Sequence, residues 1–541
     1  MSKPLVTPGA KKIQNKNSKP KDTEEKNDEK VVSYKFYYGQ LHGHTAYSLQ
    51  TNNEKIDKNK YQKIIGEYLN KVASKDRREL LKKVFNVLTG YIYEKTEDQV
   101  PEKERIPEKD RLYPHAYGFP DNAYNEAMKA GLDFFAITDH SSFNIKANII
   151  FGAKTVKYPN TEKVFDFWED TKKIANDFNQ NNYDAKTKSY SFIALAAYEL
   201  TFAENTIGHI NVFGTEICKS RTNYEKDQNR KPVDIHDQFK NHCEWLLKPE
   251  VTKAFIQLNH PVDQFGDFFE LGYGAKIQKK LLTTKKNPKN SKSEEFVKLE
   301  VASLPDKKIE KIKATAKAAK IANDGNKIPL IELIHVDSEP NEYNILWDVY
   351  NKALENGWKV APSFNPDNHH AGWGSANELR TVVLLPDKPA KLHEAFNQDN
   401  LFKAIRRRRV YATDCAGLQI DFRLKEAKDK SSKNLAVMGE ITKTTAKNLN
   451  LYINVTINNK IQKEKDLWGE VVDAVSPTKI THYEIVGCKG EGLTSGSYAG
   501  GERMIELSRT KDCDYFYLKV KLSNNKFGVT APIWINGNKE V

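Results

Sequence analysis

At 541 residues the chain is long enough for more than one domain, and 39% hydrophobic with 11% aromatic residues is the composition of a globular protein that can bury a core. The formal net charge of +13 is compatible with a phosphate-bearing substrate, yet much of the excess is lysine mixed with asparagine in tails and insertions, the pattern of a solubilising surface. Five cysteines, odd in number, widely spaced and never in a CxxC pair, argue against a disulfide framework and a thiolate zinc site, so any metal must rely on imidazole and carboxylate.

Residues 1–33, rich in lysine and without the apolar core of a signal peptide, read as a disordered tail. Cytoplasmic placement is the default expectation, and a linker left after removal of a secretion or lipid-anchor signal is the alternative. No stretch approaches the roughly 20 apolar residues of a membrane-spanning helix. Order begins near Tyr34, where YKFYYGQLHGHT has the aromatic density of a strand. Within 50–112, residues such as Ile56, Ile64, Leu69, Val72, Leu80 and Phe85 recur at helical spacing, which predicts an inserted cap of one or two amphipathic helices.

Helical patterns then alternate with short apolar runs. PDNAYNEAMKA precedes GLDFFAITDH (131–140), VFDFWEDTKKIANDFNQ precedes SFIALAAYEL (191–200), and DIHDQFKNHCEWLLK precedes AFIQLNHP (254–261). A lysine-rich surface insertion, partly helical, fills 276–327 before IPLIELI (328–334); NEYNILWDVYNKALENG then leads into WKVAPSFNPDNHH (358–370). Such alternation predicts a mostly parallel sheet and, if it closes, a barrel with its chemistry at the C-terminal ends of the strands. Arg406–Arg409 read as the close of a helix, with cations at its C-terminus. Over 416–541, alternating runs such as LNLYINVTINNK and CDYFYLKVKL predict a small β-sandwich.

Residues two apart in a strand share a face, so HGH sets the His42 and His44 imidazoles side by side. Later strands also finish on liganding residues: His140 in TDH, Glu199 in YEL, His260 in NHP, and Asp367 with His369 in PDNHH. Charged and imidazole groups converging in a barrel mouth are expensive to desolvate unless a cation or mutual pairing compensates, so the repetition points to shared metal ions.

QLHGHTAYS, GLDFFAITDH, YELT followed by GHINVFGT, NHP and PDNHH, in this order, resemble the PHP (polymerase and histidinol phosphatase) superfamily. RRRRVYATD and the closing TAPIWI add a resemblance to its carbaryl-hydrolase-like metallohydrolase branch. The resemblance implies a distorted (β/α)7 barrel over 34–415, with the two insertions, followed by the sandwich. It also implies two or three divalent ions, of zinc, manganese or iron. One ion takes His42, His44, Glu199 and Asp367; a second shares Glu199 and adds His209 and His260; a third takes His140 and His369. The family's aspartate after the first-motif serine is missing, since Leu49 follows Ser48; counting back from Pro120 of PDNAY, the insertion splits the motif and His115 takes its place. Asp139 would orient a neighbouring imidazole. His370 and Arg380 are candidate contacts to substrate oxygens, with packing the plainer role, as for Trp373.

The activity implied is hydrolysis of a phosphomonoester or phosphodiester by a metal-activated water. A carboxylic or carbamate ester is the alternative substrate, and a degenerate barrel that keeps metal only to bind a partner is the non-enzymatic one. Nucleic acid is compatible as substrate, but no recognition motif indicates it.

Overall fold

The computed structural model describes residues 32–50, 113–114, 116, 118–141, 149–151, 155–157, 164–202, 208–219, 233–261, 306–336, 343–369, 371–388, 393–425, 434–444, 446, 448–458, 478–508 and 513–536. The expected cap helices, residues 276–305, His115 and His370 lie outside them.

The architecture is mixed α/β with several sheets. The first half supplies β1 (Ser33–Gln40), β2 (Phe134–Ile137), β3 (Ile193–Ala196), β4 (Tyr198–Thr201), β5 (His209–Phe213), β6 (Phe255–Leu258), β7 (Leu330–Glu332) and β8 (Ala361–Ser363). Helices α1 (Pro120–Lys129), α2 (Phe167–Asn181), α3 (Ile235–Leu246), α4 (Asp306–Asp324) and α5 (Trp347–Glu355) precede β2, β3, β6, β7 and β8. α1, α4 and α5 stop within a few residues of their strands. After α1, Gly131 at φ +81° turns the chain so that the amide of Leu132 can bond the Ala127 carbonyl.

Further strands are β9 (Arg380–Lys388), β10 (Val410–Thr413), β11 (Leu418–Lys425), β12 (Asn434–Val437), β13 (Asn448–Ile457), β14 (Ile480–Val486), β15 (Gly492–Ser497), β16 (Gly501–Ser508), β17 (Tyr515–Leu522) and β18 (Phe527–Thr530), with α6 (Gln398–Arg406) before β10. One sheet runs β3-β2-β1-β9-β10-β18-β17-β14-β15, a second β4-β5-β6-β7-β8, and a third β12-β11-β13-β16. β3 and β4 are halves of one extended segment, so 193–201 passes from the first sheet into the second. Parallel bridges Gly43–Asn368 and His140–Glu199 also join the segments at the strand ends.

Pairing departs from the expected parallel pattern at two places. β1–β2, β2–β3, β6–β7 and β7–β8 are parallel, but β4, β5 and β6 are successively antiparallel, as are β1–β9 and β9–β10. The link from Thr201 to His209 is too short for a crossover, so β4 and β5 pair as antiparallel neighbours. The first sheet also crosses the boundary expected at residue 416, because β18 pairs with β10 through Tyr411–Thr530. β13 alternates buried and partly exposed residues, and its Leu451, Ile453 and Val455 share one apolar core with Ile420 and Phe422 of β11, Ile485 of β14 and Leu518 of β17.

Two further expectations change. β1 starts at Ser33, and the helix predicted over 341–357 is shorter: Tyr343–Ile345 pairs as a strand with Ile334–Val336 before α5 begins. The lysine-rich stretch is not wholly a surface insertion, since α4 buries Ala316, Ala318, Ala319 and Ala322 in the core that holds Phe239 and Cys243 of α3. Lysines on its outer face hid an alanine stripe on its inner one. α6 does end at Arg406; Arg408, at φ +58°, bonds the Gly439 carbonyl and Asn326, and Arg409 pairs with Glu440. None of the described helices is long and apolar enough to cross a membrane.

Candidate metal centre

The liganding side chains gather at one end of the strands. His42 and His44 lie just past β1, Asp139 and His140 past β2, His260 past β6, and Asp367 and His369 past β8; Glu199 lies within β4, and His209 opens the antiparallel β5, which brings it to the same end. The HGH turn is clamped from both sides. Gly43 exchanges hydrogen bonds with Thr138, the His44 amide donates to the Asn368 carbonyl at 3.1 Å, and the indole of buried Trp373 donates to the His44 carbonyl at 2.9 Å. A side chain at position 43 would have its Cβ 2.5 Å from the Phe135 ring, so the turn requires glycine for close approach.

Glu199 is the hub. Its Oε1 lies 3.1 Å from His209 Nδ1, 3.5 Å from His42 Nε2 and 3.7 Å from His260 Nε2; its Oε2 lies 2.9 Å from His140 Nδ1 and 3.5 Å from His44 Nε2. Asp367 Oδ1 is 3.0 Å from both His42 Nε2 and His44 Nε2 and 3.2 Å from His369 Nε2. Three overlapping groups result, each with its ligand atoms within 4.8 Å of one another: His42–His44–Asp367, His44–His140–Glu199 and Glu199–His209–His260. These buried groups are close enough to hold a metal ion.

The donor set fits a cation on physical grounds as well. His42, His44 and Glu199 are fully buried, where an isolated charge is strongly disfavoured. His42 Nε2 and Glu199 Oε2 are both buried and converge on neighbours at 2.9 to 3.5 Å. Buried imidazoles and carboxylates that converge so closely from separate strands are arranged as ligands around a common centre would be. Two of the proposed ligands also sit in left-handed backbone, His260 at φ +25° and Asp367 at φ +46°. Such conformations persist where the surroundings impose them, and they concentrate at functional sites.

Electrostatics separates the imidazoles. Burial holds His44 down to about 3, and it also lowers His140 against the attraction of Glu199. Burial opposes protonation of His42 too, but Asp367, Glu332 and Glu199 overcome it and hold this imidazole well above its usual value; His260 is raised against burial by Glu199 and Asp367. Burial would raise Glu199 and Asp367, but the imidazoles win. His140, His209 and His42 hold Glu199 well below the usual carboxylate range, and His42 and His369 do the same for Asp367. Ionised carboxylates beside neutral His44 and His140 are in the protonation states that ligate a metal. A cation among the three carboxylates around His42 would supply the positive charge that its proton otherwise brings.

The three groups overlap the expected ligand sets without reproducing them. Glu199, His209 and His260 come together as expected, whereas His140 groups with His44 and Glu199 and not with His369. His369, with its side chain 44% exposed, reaches Asp367 from the solvent side. Asp139 accepts from the Thr45 amide at 2.8 Å, the Thr45 hydroxyl at 2.6 Å and the Ser48 hydroxyl at 2.8 Å, 4.0 Å from His44 Nδ1, so it braces the loop behind the imidazoles. Arg380 differs from its expectation. Its guanidinium is buried and donates to the carbonyls of Gly374, Asn377 and Leu379, which commits it to packing the loop rather than to a substrate.

Sequence reasoning missed Glu332. It is the last residue of β7, 1% exposed, with Oε1 3.3 Å from His42 Nδ1; it accepts the His260 amide at 2.9 Å and the Asn365 side-chain amide at 3.1 Å. Behind it a buried ladder runs from Asn365 through Gln257 to Asn259, which donates to Glu199 Oε1 at 2.9 Å. The one available signal was a lone acid within an apolar run, IPLIELI. Comparison with family models, with curated proteins and with solved structures gave no match for this chain.

Proposed function

We propose that this protein is a metal-dependent hydrolase of the PHP type that cleaves a phosphate ester. The observation that carries the reading is the set of three interlocked ligand groups around Glu199, buried and rich in imidazole. The continuous segment 193–201 on one side and the Gly43–Asn368 bridge on the other support reading β1 to β8 as a distorted (β/α)7 barrel, and the core shared by β11, β13, β14 and β17 supports the sandwich. His42, His44 and Asp367 would hold one ion, Glu199, His209 and His260 a second. His140, with His44 and Glu199, would hold a third.

Zinc, manganese or iron suits such a set. When bound, these ions would lower the pKa of a water and withdraw charge from the ester. The residues of the chain perform the rest. Glu332 accepts at His42 Nδ1 and so leaves Nε2 to face the centre; Asp139 and Trp373 fix the His44 loop. His369 and Asp367, on the exposed side, would meet the substrate first. The test is chelator treatment followed by assays on an aryl phosphate, a phosphodiester, an aryl acetate and a carbamate. Loss and metal-dependent recovery of phosphate ester cleavage supports the proposal. Preference for the carboxylic esters would move the substrate class, and turnover by verified metal-free protein would refute the metal reading.

A further inference from the structure

Away from the metal centre, the fold brings together two cysteines that lie far apart in sequence. Cys488 opens a single 3-10 turn (Cys488–Gly490) after β14, and Cys513 precedes β17, the antiparallel partner of β14 through Val486–Tyr517. The contacts between them are reciprocal. The Cys488 amide donates to Cys513 Sγ at 2.9 Å, and the Asp514 amide donates to Cys488 Sγ at 3.1 Å. Gly487 makes room for this, since a Cβ there would sit 2.8 Å from Cys513 Sγ.

The two sulfurs are not equivalent. Cys488 is half-buried and reachable, whereas Cys513 is 2% exposed, with its Sγ 3.3 Å from the Tyr515 carbonyl oxygen. The neighbouring Cys513 thiol, reinforced by the Asp514 amide against the effect of burial, holds Cys488 down to about 7; the same pairing and burial push Cys513 up. An accessible sulfur of thiolate character beside a buried protonated one is the arrangement of an attacking and a resolving thiol.

We propose that Cys488 and Cys513 are a redox-active dithiol that reacts with small-molecule disulfides of the glutathione class. The Cys488 thiolate attacks one sulfur of the small disulfide, forming a mixed disulfide and expelling one thiolate, which takes up a proton. Cys513 gives up its proton, attacks Cys488 Sγ and expels the second thiolate. Two protein thiols are oxidised and one small disulfide is reduced to two thiols. The product links the turn after β14 to the start of β17, and between these points the chain contributes β15 to the first sheet and β16 to the third, so the bridge closes a loop that ties both layers. The same turn packs on α5, where Asn351 accepts from the Tyr517 hydroxyl at 2.9 Å.

The experiment treats the full-length native protein with glutathione disulfide, then counts thiols after denaturation and maps linked peptides by mass spectrometry. The expected count falls from five to three, with one link, Cys488 to Cys513, reversed by dithiothreitol. C513S should stop at a single glutathione adduct on Cys488, and C488S should leave Cys513 unmodified. Five free thiols in treated wild type, a link elsewhere, or an adduct on Cys513 in C488S would overturn the proposal. The wild-type measurement decides the matter even if a variant fails to fold.

Discussion

Replacing Glu199 by glutamine keeps the shape of the hub and removes its charge. Five imidazoles lie within 2.9 to 3.7 Å of its oxygens, and it belongs to two of the three ligand groups. Two unit charges about 4 Å apart interact by about 4 kcal/mol at an effective dielectric near 20. Loss of one such interaction corresponds to an affinity loss on the order of 1,000-fold. E199Q should therefore release metal from both groups it shares, while His42, His44 and Asp367 retain weak binding. The assay is metal content by inductively coupled plasma mass spectrometry, with affinity from competition against a chromogenic chelator and a thermal melt to establish folding. A folded E199Q that keeps wild-type stoichiometry, with affinity within tenfold, would refute Glu199 as a shared ligand.

Three other outcomes follow from the same geometry. Both oxygens of Glu332 accept from donors, so E332Q sets an amide NH2 against the His260 amide or the Asn365 side chain; metal affinity should fall roughly 10- to 100-fold, and nitrogen NMR should show a changed His42 tautomer. G43A drives a methyl into the Phe135 ring and should cost about 1–3 kcal/mol in a denaturant titration while lowering metal content, although no ligand is removed. Burial pushes the Asp133 carboxyl from 3.8 up to about 7, so the fold favours its protonated form and its contribution to stability declines as pH rises through that interval. D133N, which can still accept from the Tyr38 amide, should gain on wild type between pH 4 and pH 7 and show a constant difference above; a difference independent of pH would contradict the assignment.

Most of the candidate ligands were legible because they sit where a strand ends, and a strand's end is written locally. HGH, TDH, NHP and PDNHH all follow apolar runs, and all arrive at one end of the sheets. Partnership was harder to read. Glu199 appears in sequence as one carboxylate among many; that five imidazoles surround it is a consequence of pairing β4 with β5 and of the His140–Glu199 bridge. Glu332 escaped notice because it stands inside an apolar run, and its meaning comes from His42, 290 residues earlier. The buried alanines of α4 were masked by neighbouring lysines, while Cys488 and Cys513 lack any local spacing that announces contact. Arg380 followed the last motif closely enough to be read as a substrate contact, but carbonyls of its own loop had already claimed its donors.

Anomalous diffraction at the metal absorption edge, from crystals grown with manganese or zinc, bears most directly on the centre. The expected peaks lie within coordination distance, about 2.0 to 2.2 Å, of nitrogen and oxygen atoms from His42, His44, Asp367, Glu199, His209 and His260. Crystals with saturating metal whose only peaks lie elsewhere, with these side chains bonded to one another or to water, would contradict the account.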